Sequence, residues 1–269
     1  VSFQHLLRRH IWDRLSEPTR DQLKYDVVAR VISHVSPGAP RLEIFGSFSG
    51  DEGGRRVIEG LRGINAYRRT ELCSLMRASG SDKGLSRHNY TTVYARLFAG
   101  LRPLRFFELG IGTDNPDLPS TMGSTGTPGA SLRGWSRFFP DARIFGADID
   151  RNILFREARI ATFYCDQTDP ASIQSLWAEP ELAAEFDLVI EDGLHTFEAN
   201  RIFLEGSLHK VKRSGYYIVE DVAGADLPQW RALLDRYRVA HPDFTFCIIG
   251  LPWFRTSDDN TLVVAKRAP

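Results

Sequence analysis

Between Leu104 and Lys266 short β-prone runs alternate with helical stretches, and this alternation constrains the fold more than any other feature of the chain. The runs are Leu104 to Leu109, Ala142 to Asp148, Ile160 to Cys165, Phe186 to Asp192, Gly215 to Glu220, Phe244 to Gly250 and Thr261 to Lys266. Helical patterns fall between them over Ser131 to Phe139, Asp169 to Trp177 and Leu227 to Val239. A further one, Thr196 to Val211, sets Phe197, Leu204, Leu208 and Val211 along one face. Strand and helix in turn are the signature of a parallel sheet covered by helices. Only a short loop separates the last two runs, which are therefore expected to pair antiparallel. The expected core is an α/β, Rossmann-like, seven-stranded and mostly parallel sheet closed by a C-terminal antiparallel hairpin.

A chain of 269 residues with 42% hydrophobic content can bury one sizeable core and a modest second element. Residues 81–269 are read as the catalytic domain, and residues 1–80 as an N-terminal extension of helices and loops. That extension mixes amphipathic stretches, Leu6 to Leu15 and Gln22 to Val35, with a Gly-rich segment from Gly46 to Gly63. Thirty-four basic residues balance thirty-four acidic ones, which gives no reason to expect a nucleic acid and favours a small or uncharged partner. Cys73, Cys165 and Cys247 lack the paired spacing of a zinc site or a disulfide framework, so buried reduced thiols are expected. No run approaches the roughly 18 apolar residues of a membrane span, and the first residues carry no signal-peptide core. The expectation is a cytoplasmic protein, although the sequence starts at Val1 and not at Met.

Phe107-Glu108-Leu109-Gly110-Ile111-Gly112-Thr113 lies at the end of the first run, where open α/β sheets bind their ligands. Gly110 and Gly112 let the backbone turn tightly against a ligand, and Glu108 offers a carboxylate to a cationic amino group. Asp148 ends the second run, where a carboxylate can accept hydrogen bonds from ribose hydroxyls; Asp166 and Gln167 follow the third, where they can read an adenine amino group. A dinucleotide would require G-x-G-x-x-G leading into a helix to cradle its pyrophosphate. Here the glycines lead instead into Asp114-Asn115-Pro116-Asp117, acidic groups where an anion would sit. The pattern favours a sulfonium cofactor, S-adenosylmethionine, over NAD.

Ile190-Glu191-Asp192-Gly193-Leu194-His195 and Val219-Glu220-Asp221 end the fourth and fifth runs and gather acidic groups and an imidazole beside the cofactor. Asp192, Glu220 and Asp221 supply hard oxygen ligands suited to magnesium or a similar divalent ion. Such an ion lowers the pKa of a coordinated hydroxyl, and His195 is placed to take the proton as a general base. Successive strand residues face opposite ways, so Glu220 and Asp221 share an ion only if the chain bends there. Ala223-Gly224-Ala225 permits a bend.

These motifs resemble the metal-dependent sugar O-methyltransferases of antibiotic biosynthesis, of the mycinamicin 2''-O-methyltransferase type, within the class I methyltransferases. The resemblance runs from about Gly80 onward, on Ser81-Asp82-Lys83-Gly84, His88-Asn89-Tyr90-Thr91, Phe107 to Gly112 and Gly129-Ala130-Ser131-Leu132-Arg133. It continues through Ala147-Asp148-Ile149-Asp150, Asp166-Gln167-Thr168-Asp169, Asp192-Gly193-Leu194-His195 and Val219-Glu220-Asp221. It implies magnesium on Asp192, Glu220 and Asp221, His195 as base, and cofactor contacts from Glu108, Gly110, Ser131, Asp148, Asp166 and Gln167, with Gly112 and Asp192 beside them. It also implies a homodimer or homotetramer and, as acceptor, a deoxysugar that is nucleotide-linked, such as TDP-rhamnose, or already on an antibiotic. Asp114 to Pro128 is longer than the family pattern and is expected to shape the acceptor pocket, with Trp230, Trp253 and Phe254 as aromatic candidates for its lining. The competing readings are a catechol-type O-methyltransferase, an NAD-dependent oxidoreductase without its phosphate loop, and a noncatalytic binding module, from which the acidic cluster and His195 would be expected to be lost.

Overall fold

The computed structural model describes residues 42–46, 52–66, 68–85, 87–251 and 258–269. The stretches Leu6 to Leu15 and Gln22 to Val35, and the aromatic pair Trp253 and Phe254, lie outside the described residues. The elements, in order, are β1 (Glu43–Gly46), α1 (Glu52–Arg62), α2 (Glu71–Ser79), α3 (Tyr90–Leu97), β2 (Arg105–Leu109), α4 (Ala130–Phe138), β3 (Arg143–Asp148), β4 (Arg156–Glu157) and β5 (Ile160–Tyr164). They continue with α5 (Pro170–Trp177), β6 (Phe186–Glu191), α6 (Phe197–Ser207), β7 (Val211–Val219), α7 (Leu227–Ala240), β8 (Phe244–Gly250) and β9 (Thr261–Arg267).

One sheet runs in the order β1-β8-β9-β7-β6-β2-β3-β5-β4. The strands β5, β3, β2, β6 and β7 are parallel, and β9 lies antiparallel between β7 and β8. Alternate residues of β2 show how the layers form, because successive side chains point to opposite faces. Phe106 enters a core built with α1 to α4, through residues such as Leu61, Met76, Tyr94 and Trp135. Its neighbour Phe107 enters the opposite core with Ile173 of α5, Phe203 of α6 and Leu233 of α7. Local chemistry sets the helix ends: Thr70 and Asp169 accept from the backbone N–H groups of Cys73 and Ala171, at 3.1 and 2.9 Å. Gly80, at φ +89°, closes α2. Among the described residues no helix is long and apolar enough to cross a membrane.

Among the described residues the sheet has nine strands where seven were expected. The additional β1 has four residues and β4 only two, too short to show an alternating pattern, and β1 falls in the segment expected to hold helices and loops. The antiparallel hairpin of β8 and β9 forms as expected, from Phe244 opposite Arg267 to Gly250 opposite Thr261. The helix expected to reach Val211 stops at Ser207, and Val211 begins β7, opposite Phe186. Its apolar side chain suits both periodicities; the sheet claims it. Residues 42–46, 52–66 and 68–80 pack on the same sheet, with Leu42, Ile58, Leu61, Leu72 and Met76 buried in its first core.

The strand order reverses between β2, which leads on to β3, and β6, which leads on to β7. Such a reversal opens a crevice beyond the carboxyl ends of the strands, the general ligand position in open α/β sheets.

Candidate active site

A cavity of about 490 Å³ fills that crevice, and residues that follow β2, β3, β5, β6 and β7 line it. Backbone bonds carry the ladder past the strand ends: Gly110 N–H donates to Ala147 at 2.8 Å, Asp192 N–H to Leu109 at 2.9 Å and Glu220 N–H to Glu191 at 2.9 Å. The loops that hold the candidate residues are thereby fixed to rigid strands.

Gly110 turns at φ +78°, and a Cβ there would lie 1.8 Å from the Asp192 carbonyl oxygen, so only glycine lets the two loops pass this closely. Met122 packs over Gly112 and donates its N–H to Thr113 O at 2.8 Å, which folds the segment after the glycines back along the cavity. Leu118 to Met122 of this segment form part of the wall. Asp148 accepts from Ile111 N–H and Asp150 N–H, each at 2.9 Å, so one carboxylate joins the glycine turn to the end of β3. Burial raises its pKa, against these bonds.

Of the residues singled out in the sequence, Gly110, Gly112, Ser131, Asp148, Asp166, Gln167, Asp192, His195, Glu220 and Asp221 all line the cavity. Glu108 does not. It is fully buried behind Ser131, accepting from Ser131 Oγ at 2.6 Å and from Trp135 Nε1 at 2.7 Å. Trp230 is likewise in the core, edge-on to Phe197, and takes no part in the cavity.

Asp192, His195 and Asp221 each present a ligand atom within 4.8 Å of the others. His195 Nε2 stands 3.8 Å from Asp221 Oδ2 and 4.0 Å from Asp192 Oδ1, while its buried Nδ1 has no hydrogen-bond partner. His195 and Asp221 both adopt left-handed backbone, at φ +61° and +52°, which non-glycine residues seldom hold unless their surroundings impose it. The bend foreseen after β7 is therefore made by Asp221 itself. It separates the neighbours: Asp221 faces His195, whereas Glu220 turns to Lys83 and Tyr94.

Lys83 has a place in a sequence motif, Ser81-Asp82-Lys83-Gly84, but no role was expected of it. Its ammonium, 2% exposed, lies 2.5 Å from Asp192 Oδ2, 2.5 Å from Glu220 Oε2 and 3.5 Å from Glu108 Oε1. Burial pulls its pKa down, but the three carboxylates outweigh that and hold it well above the ordinary lysine value. One buried cation thus gathers acids from the ends of β2, β6 and β7. Tyr90 was also missed. Its hydroxyl donates to Asp221 Oδ1 at 2.5 Å and accepts from Asp221 N–H at 3.3 Å, clamping the strained residue from two sides. His88 stacks on the Tyr90 ring at 4.9 Å, with Nδ1 3.4 Å from Asp221 Oδ1.

The two carboxylates at this spacing fit a divalent cation, with the imidazole beside it. Burial first, then the neighbouring Asp192, raises the Asp221 pKa, and a bound cation would relieve both effects.

No family model matches the chain. The chain is 32% identical over 166 residues to 8-demethyl-8-alpha-L-rhamnosyl tetracenomycin-C 2'-O-methyltransferase of Streptomyces olivaceus, covering 61% of this chain and 41% of that protein. It is also 32% identical over 176 residues to the 8-demethyl-8-(2-methoxy-alpha-L-rhamnosyl)-tetracenomycin-C 3'-O-methyltransferase of Streptomyces olivaceus, covering 64% and 42%. The chain thus spans about two fifths of the length of these curated relatives. Among solved structures it superposes on the MycE methyltransferase from the mycinamycin biosynthetic pathway, in complex with Mg and SAH, with a TM-score of 0.55 at 22% identity. That match covers 80% of this chain and 58% of that one, and it establishes the fold. The chain has a Rossmann-like methyltransferase fold and, over about three fifths of its length, is similar in sequence to O-methyltransferases that act on antibiotic-borne sugars.

Proposed function

We propose that this chain is an S-adenosylmethionine-dependent, divalent-metal-assisted O-methyltransferase acting on a hydroxyl of a deoxysugar. The sugar is nucleotide-linked, such as TDP-rhamnose, or already attached to an antibiotic. The observation that carries this reading is the meeting of the glycine turn and the Asp192, His195 and Asp221 cluster in one cavity at the strand ends. The methylated rhamnosyl groups in the relatives' names support the acceptor class, and the Mg and SAH bound by MycE support the cofactor and ion.

Gly110, Gly112, Ser131, Asp148, Asp166 and Asp192 face the methyl donor, with Gln167 at the cavity floor and Glu108 fixing Ser131 from behind. Asp192 and Asp221 would supply hard oxygens to a divalent ion beside the His195 imidazole, and Glu220, held by Lys83 and Tyr94, would be the next carboxylate available. When bound, the ion lowers the pKa of a coordinated hydroxyl and fixes its direction. His195 Nε2, facing the two aspartates, takes the acceptor proton, and those carboxylates stabilise the imidazolium that results. The acceptor oxygen bonds to the methyl carbon as the carbon–sulfur bond breaks, and neutral S-adenosylhomocysteine leaves. A small glycosylated acceptor and a homodimer or homotetramer belong to the same reading, the latter tested by light scattering.

Calorimetric titration with S-adenosylmethionine and with NAD, each with and without magnesium and then with TDP-rhamnose, tests the proposal. Binding of the sulfonium but not of NAD is expected, together with metal-dependent binding of an acceptor sugar. A protein that ignores S-adenosylmethionine overturns it; sulfonium binding without TDP-rhamnose binding moves the acceptor to a glycosylated antibiotic.

A further inference from the structure

Gln167 sits where an adenine-reading amide was expected, yet its side chain is already committed elsewhere. Nε2 donates to Glu191 Oε1 at 3.1 Å, and Oε1 accepts from Leu194 N–H at 2.7 Å. Glu191, 1% exposed, also accepts from Gly193 N–H at 3.2 Å. Asn200, at the first turn of α6, has one end of its amide 3.3 Å from Glu191 Oε2 and 3.0 Å from Thr196 O; both neighbours are acceptors, which assigns the amide nitrogen to that end. The space between these groups is also closed, since a Cβ on Gly193 would lie 1.8 Å from Gln167 Oε1. Gly193 and Leu194, the two residues between Asp192 and His195, are thus both bonded to this amide and carboxyl pair.

We infer that Gln167 is a positioning residue for the cation-binding loop: with Glu191 it holds Gly193 and Leu194 so that Asp192 and His195 face Asp221. The inference rests on the methyl-transfer reading for the identity of the cation and cofactor. It moves Gln167 from contact with the adenine to support of the ligands. The left-handed His195 backbone needs such support, because a strained residue relaxes unless its neighbours over-determine it. Loss of an outer partner of a metal ligand typically costs about tenfold to a hundredfold in metal affinity.

The test compares wild type with Gln167→Leu, which keeps the bulk and removes both hydrogen bonds. Manganese affinity is measured by electron paramagnetic resonance, S-adenosylhomocysteine affinity by calorimetry, and folding by circular dichroism. Manganese affinity should fall about tenfold or more, while S-adenosylhomocysteine affinity stays within about threefold. The converse, cofactor affinity lost and manganese affinity kept, assigns Gln167 to the adenine and overturns the inference; so does a variant unchanged in both. If Gln167→Leu does not fold, Gly193→Ala probes the same contact from the loop side. It should lower manganese affinity in the wild-type background and much less in a Gln167→Ala background, where the amide is gone; equal losses overturn the inference. A wild-type protein that binds neither probe overturns the methyl-transfer reading itself.

Discussion

Tyr90 holds Asp221 by a hydroxyl that both donates to its carboxylate and accepts from its backbone N–H. Tyr90→Phe removes both bonds from a residue with positive φ, and hydrogen bonds to charged groups contribute about 1.5–3 kcal/mol. Manganese affinity is expected to drop about tenfold in this variant, measured by spin resonance, with S-adenosylhomocysteine affinity retained. His195→Ala separates chemistry from binding. Turnover should fall by about 10²–10⁴ with cofactor affinity nearly intact, as steady-state rates and calorimetry would show; full activity removes His195 from the mechanism. That Asp192, His195 and Asp221 come together was legible in the sequence, because all three follow the ends of neighbouring strands. Lys83 was not, because its partners Asp192 and Glu220 stand 109 and 137 residues away along the chain. Glu108 was legible at the strand end, but its enclosure by Ser131 and Trp135 was not, since nothing local shows it.

Among the elements, α4 bears directly on the site through Trp135, which is fully buried, stacks on Phe139 at 6.0 Å and donates to Glu108. Trp135→Phe preserves an aromatic ring but leaves one Glu108 oxygen without its donor, which should cost about 1–3 kcal/mol of stability in urea unfolding. Unchanged stability would mean that the carboxylate finds another donor. The long strands and helices were readable because their periodicity extends over several residues. The two-residue β4 exists only through its pairing with Ile160 and Ala161, and β1 only through its pairing with β8. Neither carries a pattern of its own. The Asp114 to Pro128 segment was legible as a long loop after the glycine motif. That it turns back over Gly112 through Met122 depends on contacts that length alone does not specify.

At the scale of the molecule, a ligand that binds only the folded state raises its stability by about 2.7 kcal/mol at a hundred times its dissociation constant. S-adenosylhomocysteine at that excess should therefore raise Tm by about 5 °C in a calorimetric scan, while NAD leaves it unchanged. A shift with NAD alone would contradict the methyltransferase reading. Between β7 and β8, finally, lies β9, the latest of the strands in sequence. It is a keystone: without Thr261–Arg267, β7 loses its partner on one side, and the β1–β8 pair is no longer bonded to the parallel strands. A nascent chain emerging from the ribosome thus carries two bare sheet edges until this segment is free, and such edges are templates for pairing with other chains. Synthesis paused before Thr261 should leave the polypeptide dependent on chaperones, although Asp192, His195 and Asp221 have by then all been made.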